Sequence, residues 1–405
     1  MDKINELIAL YCPSGVDFRP LYDLTIWDKK FNGIVNSWQE RTIKFKHVSA
    51  ATLKSLNLRK GNVKLLSTGN YSGWTNEEFA GQNVNNDEVI SIPSGGSANL
   101  KYYKGKFVDS GNILAIAKDE SVNLKFVYYV LLTKNSLINS FFRGSGVKHP
   151  NMLEVLQIII PYPPIQIQEE IVNMLDKFTS LETELEAELE ARSEQYGYYR
   201  DKLLGFQDAV VEWKTLGEVG TFIRGNGLQK KDFTDTGVGC IHYGQIYTFY
   251  GSHATKTKSF VSKELAKKLK KASKNDLIIA GVSENVEDIC KAVVWLGEDD
   301  ICISGDAFIF KHTQNPKYIG YLLQTNRFLQ FKKRYAQGAK VTRLKSGSLP
   351  KFTIPIPSLA EQNRIVTILD KFDTLVNDVS IGLPAEIKAR RQQYEHYRDK
   401  LLTFN

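Results

Sequence analysis

Glycine, serine, asparagine and lysine are gathered at Ser94-Gly95-Gly96-Ser97-Ala98-Asn99-Leu100-Lys101, and a shorter segment of like character stands at Gly281-Val282-Ser283-Glu284-Asn285. Glycine lets a backbone approach a ligand closely, while Ser, Asn and Lys supply partners for phosphate oxygens and base edges. A second pair is Arg143-Gly144-Ser145-Gly146-Val147-Lys148-His149 and Gly338-Ala339-Lys340-Val341-Thr342-Arg343, with Lys345 just beyond. A third segment, His242-Tyr243-Gly244-Gln245-Ile246-Tyr247, has no partner in the other half, and a glutamine amide suits an adenine edge. The chemistry expected of such segments is contact with a nucleic acid. The residues expected to contact it are Lys46, Lys64, Gly95, Gly96, Ser97, Asn99, Lys101, Lys148, His149, Tyr243, Gln245, Ser283, Asn285, Lys340, Arg343 and Lys345.

Motifs for catalysis are missing. The chain has no G-x-x-x-x-G-K-[ST], no G-x-G-x-x-G after a strand and no H-E-x-x-H. Pro161-Tyr162-Pro163-Pro164 lacks the Asn or Asp of an amino-methyltransferase motif and reads as an extended stop before a helix. Glu284, Glu287 and Asp288 with Lys291 could be imagined as a nuclease cluster, but no second carboxylate stands at a suitable strand position. The four cysteines (Cys12, Cys240, Cys290, Cys302) show no C-x-x-C spacing, so neither zinc nor a disulfide framework is implied. No apolar run reaches the roughly 18 residues of a membrane span, and the start lacks the pattern of a secretion signal. A soluble, cytoplasmic protein is expected.

The net charge of +8 is modest, but its distribution is uneven. Lys256 to Lys274 holds eight lysines against Glu264 alone, and Arg327 to Lys345 holds Lys332, Lys333, Arg334, Lys340 and Arg343 with no acid. Arg41, Lys44, Lys46, His47, Lys54, Arg59, Lys60 and Lys64 make a similar group near the start. Segregated positive charge in three stretches is the footprint of a polyanion ligand.

The elements that must position these segments occur twice. Ile160-Pro161-Tyr162-Pro163, Leu175-Asp176-Lys177-Phe178 and Tyr199-Arg200-Asp201-Lys202-Leu203-Leu204 are matched by Ile354-Pro355-Ile356-Pro357, Leu369-Asp370-Lys371-Phe372 and Tyr397-Arg398-Asp399-Lys400-Leu401-Leu402. That period is far longer than a solenoid repeat of roughly 20–50 residues. Each copy therefore reads as a globular domain followed by a long helix. Inside each domain, β-type runs such as Asn112–Ile116 and Asp306–Phe310 alternate with Gly- and Asn-rich loops. One helix is expected in each, near 124–142 and 316–335, giving an α+β unit with a mixed sheet.

Apolar residues at Ile171, Leu175, Phe178, Leu185, Leu189, Tyr196, Tyr199 and Leu203 step by alternating fours and threes, with Glu182 and Arg192 filling the gaps. This heptad seam extends over about five heptads, a helix of roughly 55 Å. The second copy follows the same steps but carries four extra residues near Gly382-Leu383-Pro384, where a break or kink is expected. Pseudo-twofold symmetry requires the two helices to pair antiparallel. The mixed acidic and apolar surface of these helices, with Tyr196, Tyr199, Tyr394 and Tyr397, is the candidate partner-docking region.

Taken together, the paired motifs, with Glu361-Gln362-Asn363-Arg364-Ile365-Val366 and Gly382-Leu383-Pro384-Ala385-Glu386-Ile387, resemble the specificity subunit of type I restriction–modification systems over essentially the whole chain. Leu185-Glu186-Ala187-Glu188 and its neighbours resemble four-residue helical repeats of one branch of that family, where repeat number sets half-site spacing. The resemblance implies two mixed α/β target-recognition domains, at 1–160 and 208–354. A central spacer helix at 161–207 and a distal one at 355–405, kinked near 382–384, would form the antiparallel coiled coil. It implies a non-catalytic DNA-binding subunit that reads an asymmetric bipartite site. Its partners would be double-stranded DNA, two methyltransferase subunits and two restriction–translocase subunits, and no membrane. S-adenosylmethionine, ATP and Mg would be bound by those partner subunits, with no cofactor in this chain. Inside the recognition domains no matched motif carries base contacts across. The alternatives are a coiled-coil scaffold without sequence preference, and a methyltransferase or nuclease with built-in target recognition.

Overall fold

The two Ile-Pro-x-Pro segments lie on strands, Ile159–Tyr162 and Thr353–Ile356, and each closes its own domain. The first pairs antiparallel with Asp17–Pro20, placing Asp17 opposite Tyr162. The second pairs with Glu212–Thr215, placing Glu212 opposite Ile356. Proline is tolerated here because a two-stranded ribbon leaves one edge of each strand without ladder bonds. The computed structural model describes residues 2–206, 211–338, 341–345 and 347–404. It divides into two compact units, residues 1–183 with 389–405, and residues 184–388.

In the first unit a six-stranded sheet runs in the order Thr25–Trp27, Asn112–Ala117, Asn85–Pro93, Lys101–Ser110, Val63–Ser67, Ser72–Thr75. Only the contact between Val63–Ser67 and Lys101–Ser110 is parallel, so the sheet is mixed as expected. Ile90, Ile92 and Ala115 of the sheet share a core with Phe126, Val127 and Val130 of the helix Leu124–Thr133, and with Ile171 and Leu175. The second unit splits its strands into a five-stranded and a four-stranded sheet. Its core joins Leu277 and Phe310 to Tyr318, Phe328, Ile365 and Leu369.

Where one helix is expected in each domain, there are two: Leu124–Thr133 and Asn135–Ser140, and Pro316–Leu322 and Asn326–Tyr335. In the second unit the reason is a fresh N-cap, since the Thr325 hydroxyl accepts from the Phe328 amide at 3.3 Å. Such a cap satisfies an amide that has no partner inside the new helix.

Ile165–Gly205 is one continuous helix of 41 residues, which belongs to the first unit up to Thr183 and to the second from Glu184. In the first unit it is paired antiparallel by the chain end: Glu182 meets Arg391 at 2.7 Å, Phe178 stacks on Tyr397 at 5.4 Å, and Leu175 shares the core with Leu401 and Leu402. Glu182, a gap in the apolar seam, is thus filled by an ion pair across the helices. In the second unit, Tyr196 and Tyr199 stack on Phe372 at 6.3 and 5.7 Å, and Leu204 joins the core of Ile365 and Leu369.

The distal segment is two helices, Leu359–Asn377 and Leu383–Leu402. The interruption precedes Pro384, which occupies the first turn of the second helix, where its missing amide costs nothing. Asp378 holds the intervening turn by accepting from the Ser380 amide at 2.7 Å and the Ile381 amide at 3.3 Å. Gly382 is required there, since a Cβ would sit 2.4 Å from the Thr374 carbonyl.

The repeated Leu-Asp-Lys-Phe aspartate has the same task in both units. Asp176 accepts from Lys125 at 2.7 Å and from the Tyr129 hydroxyl at 2.6 Å. Asp370 accepts from Lys317 at 2.8 Å and from the Tyr321 hydroxyl at 2.6 Å. Buried Gln168 and Gln362 add a second tie, each accepting from the backbone amide of the residue that caps the first domain helix, Asn123 or Asn315. Each long helix is thereby bolted to its own domain by the side chains the duplication kept.

Candidate nucleic-acid interface

Within each unit, the two recognition segments picked out by composition lie against one another. In the first, the Gly96 amide donates to the Lys148 carbonyl at 2.8 Å and the His149 ring contacts the Ser94 carbonyl at 2.5 Å. In the second, Ser283 and Thr342 exchange both backbone hydrogen bonds, at 3.0 and 2.7 Å. The later segment is a hairpin in both. Phe142–Arg143 pairs with His149–Pro150, and Ala336–Gln337 with Arg343–Leu344. The registers superpose, with Arg143 opposite His149 where Gln337 is opposite Arg343. Each hairpin turns on a glycine at positive φ, Gly144 (146°) and Gly338 (103°), and a Cβ on Gly338 would lie 2.2 Å from the Val341 carbonyl. Left-handed backbone of this kind strains any L side chain.

On this frame Gly96, Ser97, Lys148, His149, Asn285, Arg343 and Lys345 are exposed, while Gly95, Asn99, Tyr243 and Ser283 are half-buried. A carbonyl only accepts, so His149 Nδ1 carries the proton that meets Ser94. The exposed Asn285 amide donates once to the Asp288 carboxylate at 2.7 Å and accepts once from the Asp288 amide at 2.8 Å, so one N–H and one lone pair remain to it. Arg143 pairs with Glu154 at 2.5 Å. Lys340 lies outside the described residues.

Other expected contacts have structural duties. Gln245 is 8% exposed; its oxygen accepts from the His242 amide at 3.0 Å and its nitrogen donates to Ser259 at 2.7 Å. Burial together with these two bonds keeps that amide from presenting itself to an adenine. Lys101 is half-buried with its ammonium on the carbonyls of Ser67 and Gly69, and burial pushes its pKa down. Lys64 is half-buried with its ammonium 4.4 Å above the Trp74 ring. Lys332, read as part of a basic run, is 6% exposed and donates to the Glu287 carbonyl. Lys46 is exposed on the first unit, its backbone pinned by Asn85 at 2.9 Å on both sides.

The lysines from Lys256 to Lys274 are all exposed. Among the described residues only Lys274 of that run forms an ion pair, with Glu298 at 2.5 Å. Beside Lys46, His47 is held between two buried carboxylates, with Nδ1 2.7 Å from Asp109 and Nε2 3.4 Å from Asp28. Hydrogen bonds to Asp109 and then Asp28 outweigh desolvation and hold its pKa up at about 9. A pKa raised above the unfolded value of about 6.5 contributes stability that is complete below about pH 6.5 and is lost as pH rises through 9. With 34% of the His47 side chain exposed, solvent screening leaves a contribution on the order of 1–2 kcal/mol. Thermal stability is expected to fall between pH 7 and pH 10, and His47→Gln to flatten that slope. Equal slopes in the two proteins would show that the clamp contributes nothing.

Among the described residues no group of three or more His, Cys, Asp or Glu is placed to hold a metal ion, and no helix is long and apolar enough to cross a membrane. The three buried cysteines have thiol pKa values pushed up by burial, to about 12 at Cys240 and Cys290.

The model of the type I restriction modification DNA specificity domain matches residues 38–192 and 210–389, so one copy covers each pair of recognition segments. The chain belongs to this family. It carries two DNA specificity domains. It is 33% identical over 344 residues to the EcoR124I/EcoR124II specificity subunit of Escherichia coli, covering 82% of this chain and 84% of that protein. It is 30% identical over 366 residues to a putative type I restriction enzyme specificity subunit of Haemophilus influenzae, covering 85% and 91%. The fold is similar to that of the type I restriction–modification S subunit from M. genitalium, with a TM-score of 0.58 at 16% identity over 96% of each chain. A chain from a study of assembly and conformational transition of the type I system gives a TM-score of 0.56 at 15% identity, over 96% of this chain and 98% of that one.

For a DNA specificity protein, the helix tyrosines are the remaining candidates, and they divide. Tyr196 is 5% exposed inside the core of the second unit, so it offers no docking surface. Tyr199 is 38% exposed, and Tyr394 and Tyr397 are half-buried against the first unit. Composition missed the aspartate clamps. The signal for them was present, because Asp176 and Asp370, and Tyr129 and Tyr321, all stand in matched blocks.

Proposed function

We propose that each unit reads one half of a bipartite DNA target through its paired arms. The observation that carries this is the hairpin kept in register in both units while its side chains differ: Arg143 and His149 in one, Gln337 and Arg343 in the other. A constant frame with changed hydrogen-bonding groups is what two different half-sites demand. On this reading residues 1–160 and 208–354 are the recognition domains, and 161–207 and 355–405 are spacers that set the distance between the halves. The contacts to bases fall to Gly96, Ser97, Asn99, Lys148 and His149 in the first domain, and to Tyr243, Ser283, Asn285, Lys340, Arg343 and Lys345 in the second. Lys46 and the exposed lysines from Lys256 to Lys274 contribute salt-dependent phosphate contacts.

The chain acts without catalysis of its own. Two methyltransferase subunits dock on the helices near Tyr199, Tyr394 and Tyr397, and two restriction–translocase subunits join them. Those partners bind S-adenosylmethionine, ATP and Mg, and the assembly works in the cytoplasm. Replacing Arg343 with Ala is expected to weaken binding of target duplex by the assembled complex about tenfold and to relax base preference in one half-site only. Unchanged affinity and unchanged preference would remove the hairpin from the interface. Duplex binding with no base preference at any salt would favour a scaffold instead.

A further inference from the structure

Resting on the reading that the paired arms contact bases, we propose that Asn139 and Lys332 are positioning residues that lock one arm against the other in each unit. Both stand on the short helix that runs directly into the recognition hairpin, Asn135–Ser140 before Phe142–Arg143 and Asn326–Tyr335 before Ala336–Gln337. From that helix each reaches across to the earlier arm. In the first unit the Asn139 side-chain oxygen accepts from the Ala98 amide at 3.0 Å, in the middle of the Ser94–Lys101 segment. In the second the Lys332 ammonium donates to the Glu287 carbonyl, in the loop that continues from Ser283 and Asn285. That loop is stiffened by the Asn285–Asp288 bonds at 2.7 and 2.8 Å, so a hold on Glu287 is passed back to Asn285.

The two tethers join the same elements by opposite chemistry. One helix side chain accepts from a loop amide, and the other donates to a loop carbonyl. They are not copies of one ancestral bond either. At the offset that superposes Gly144 on Gly338, Lys332 falls opposite Ile138, which is fully buried, and Asn139 falls opposite Lys333. The second unit therefore has a lysine, 6% exposed, where the first keeps a core isoleucine. Burying an ammonium costs stability relative to an apolar side chain of the same shape. Desolvation depresses the Lys332 pKa, opposed by Cys290, Asp288 and Glu287 around it. A costly residue at a site where isoleucine packs well needs a gain elsewhere, and the bond it makes points to the loop. Recognition groups are useful only when held close to their working geometry by supporting side chains of this kind. Neither residue needs to touch DNA: Lys332 is enclosed, and Asn139 spends its oxygen on Ala98.

The test uses the full chain assembled with its methyltransferase partner. A duplex library randomised through both half-sites is bound, recovered and sequenced, and thermal stability is measured for every variant. Lys332→Met keeps the length and apolar stem but removes the donor, and Asn139→Ala removes the acceptor. Base discrimination is expected to fall about tenfold in one half-site for Lys332→Met and in the other half-site for Asn139→Ala. The untouched half should stay sharp in each. Lys332→Arg and Asn139→Asp, which keep the donor and the acceptor, should retain most of the preference. Lys332→Met is expected to leave the melting temperature unchanged or raised, so lost discrimination could not come from a loosened fold. If both halves stay sharp in Lys332→Met and Asn139→Ala, the tether proposal is overturned. If Lys332→Met does not fold, Asn139→Ala against Asn139→Asp decides the question alone. Loss of preference in Arg343→Ala with none in the tether variants removes only the tethers, whereas no loss in Arg343→Ala removes the reading on which they rest.

Discussion

One additional Leu-Glu-Ala-Glu unit inserted after Glu188 is expected to widen the unread gap between the half-sites by about one to two base pairs while leaving the bases of both halves unchanged. Four helical residues add roughly 6 Å of rise and overshoot one turn by about 40°. A duplex step is about 3.4 Å, so the rise argues for nearly two steps and the rotation for about one. The segment can take the insertion. Glu184, Glu186, Glu188 and Glu190 are exposed, and Leu185 and Leu189 are half-buried. Leu, Glu and Ala are strong helix formers. Inserted after Glu188, the new residues interrupt neither the Asp176 clamp nor the Phe372 stack. Methylation mapping of the assembled complex reads the result. Altered half-site bases, or an unchanged gap in a folded complex, would refute the idea that the helices measure distance.

The second large effect belongs to the aspartate clamps. Asp370→Ala is expected to lower the stability of the second unit by about 2–3 kcal/mol, or roughly 5–10 °C in melting temperature. The cost arises from what is left behind. Tyr321 is 2% exposed, and its hydroxyl loses its acceptor where water has little access. Lys317, 22% exposed at the side chain, loses its counter-charge. The figure sits below that for a fully enclosed pair because a third of the Asp370 side chain faces solvent. Asp176→Ala should cost the first unit a like amount through Tyr129 and Lys125. Adding Tyr321→Phe to Asp370→Ala should return part of the loss, as the stranded hydroxyl is then gone. A melting curve that ignores Asp370→Ala would show that the clamp is ornamental.

How much of this was legible in the chain depends on what each residue answers to. The duplicated helices, the extended proline stops before them and the break near Gly382 could be read directly, because heptad spacing, proline and a four-residue insertion act locally. The two pairs of recognition segments could be named from composition. That each pair forms one surface could not, since Gly96 meets Lys148 and Ser283 meets Thr342 only through the fold of the sheet. Charge misled. Lys332 looks like a member of a basic run and Lys101 like a nucleic-acid contact, yet burial and carbonyl partners turn them inward. Gln245 carries the right amide for adenine, but burial, a helix cap and Ser259 turn it inward. Tyr196 sits on the seam as its spacing requires, and for that reason it is unavailable to a partner.

The first unit is built from residues 1–183 and 389–405, with the whole of the second unit between them in the chain. A ribosome therefore finishes the second unit first. At about 5–20 residues per second, the roughly 200 intervening residues take on the order of 10–40 s to appear. For that interval the apolar seat formed by Ile171 and Leu175 waits without Leu401 and Leu402. The half that emerges first is the half completed last, and its newborn surface depends for that time on whatever else in the cell covers it.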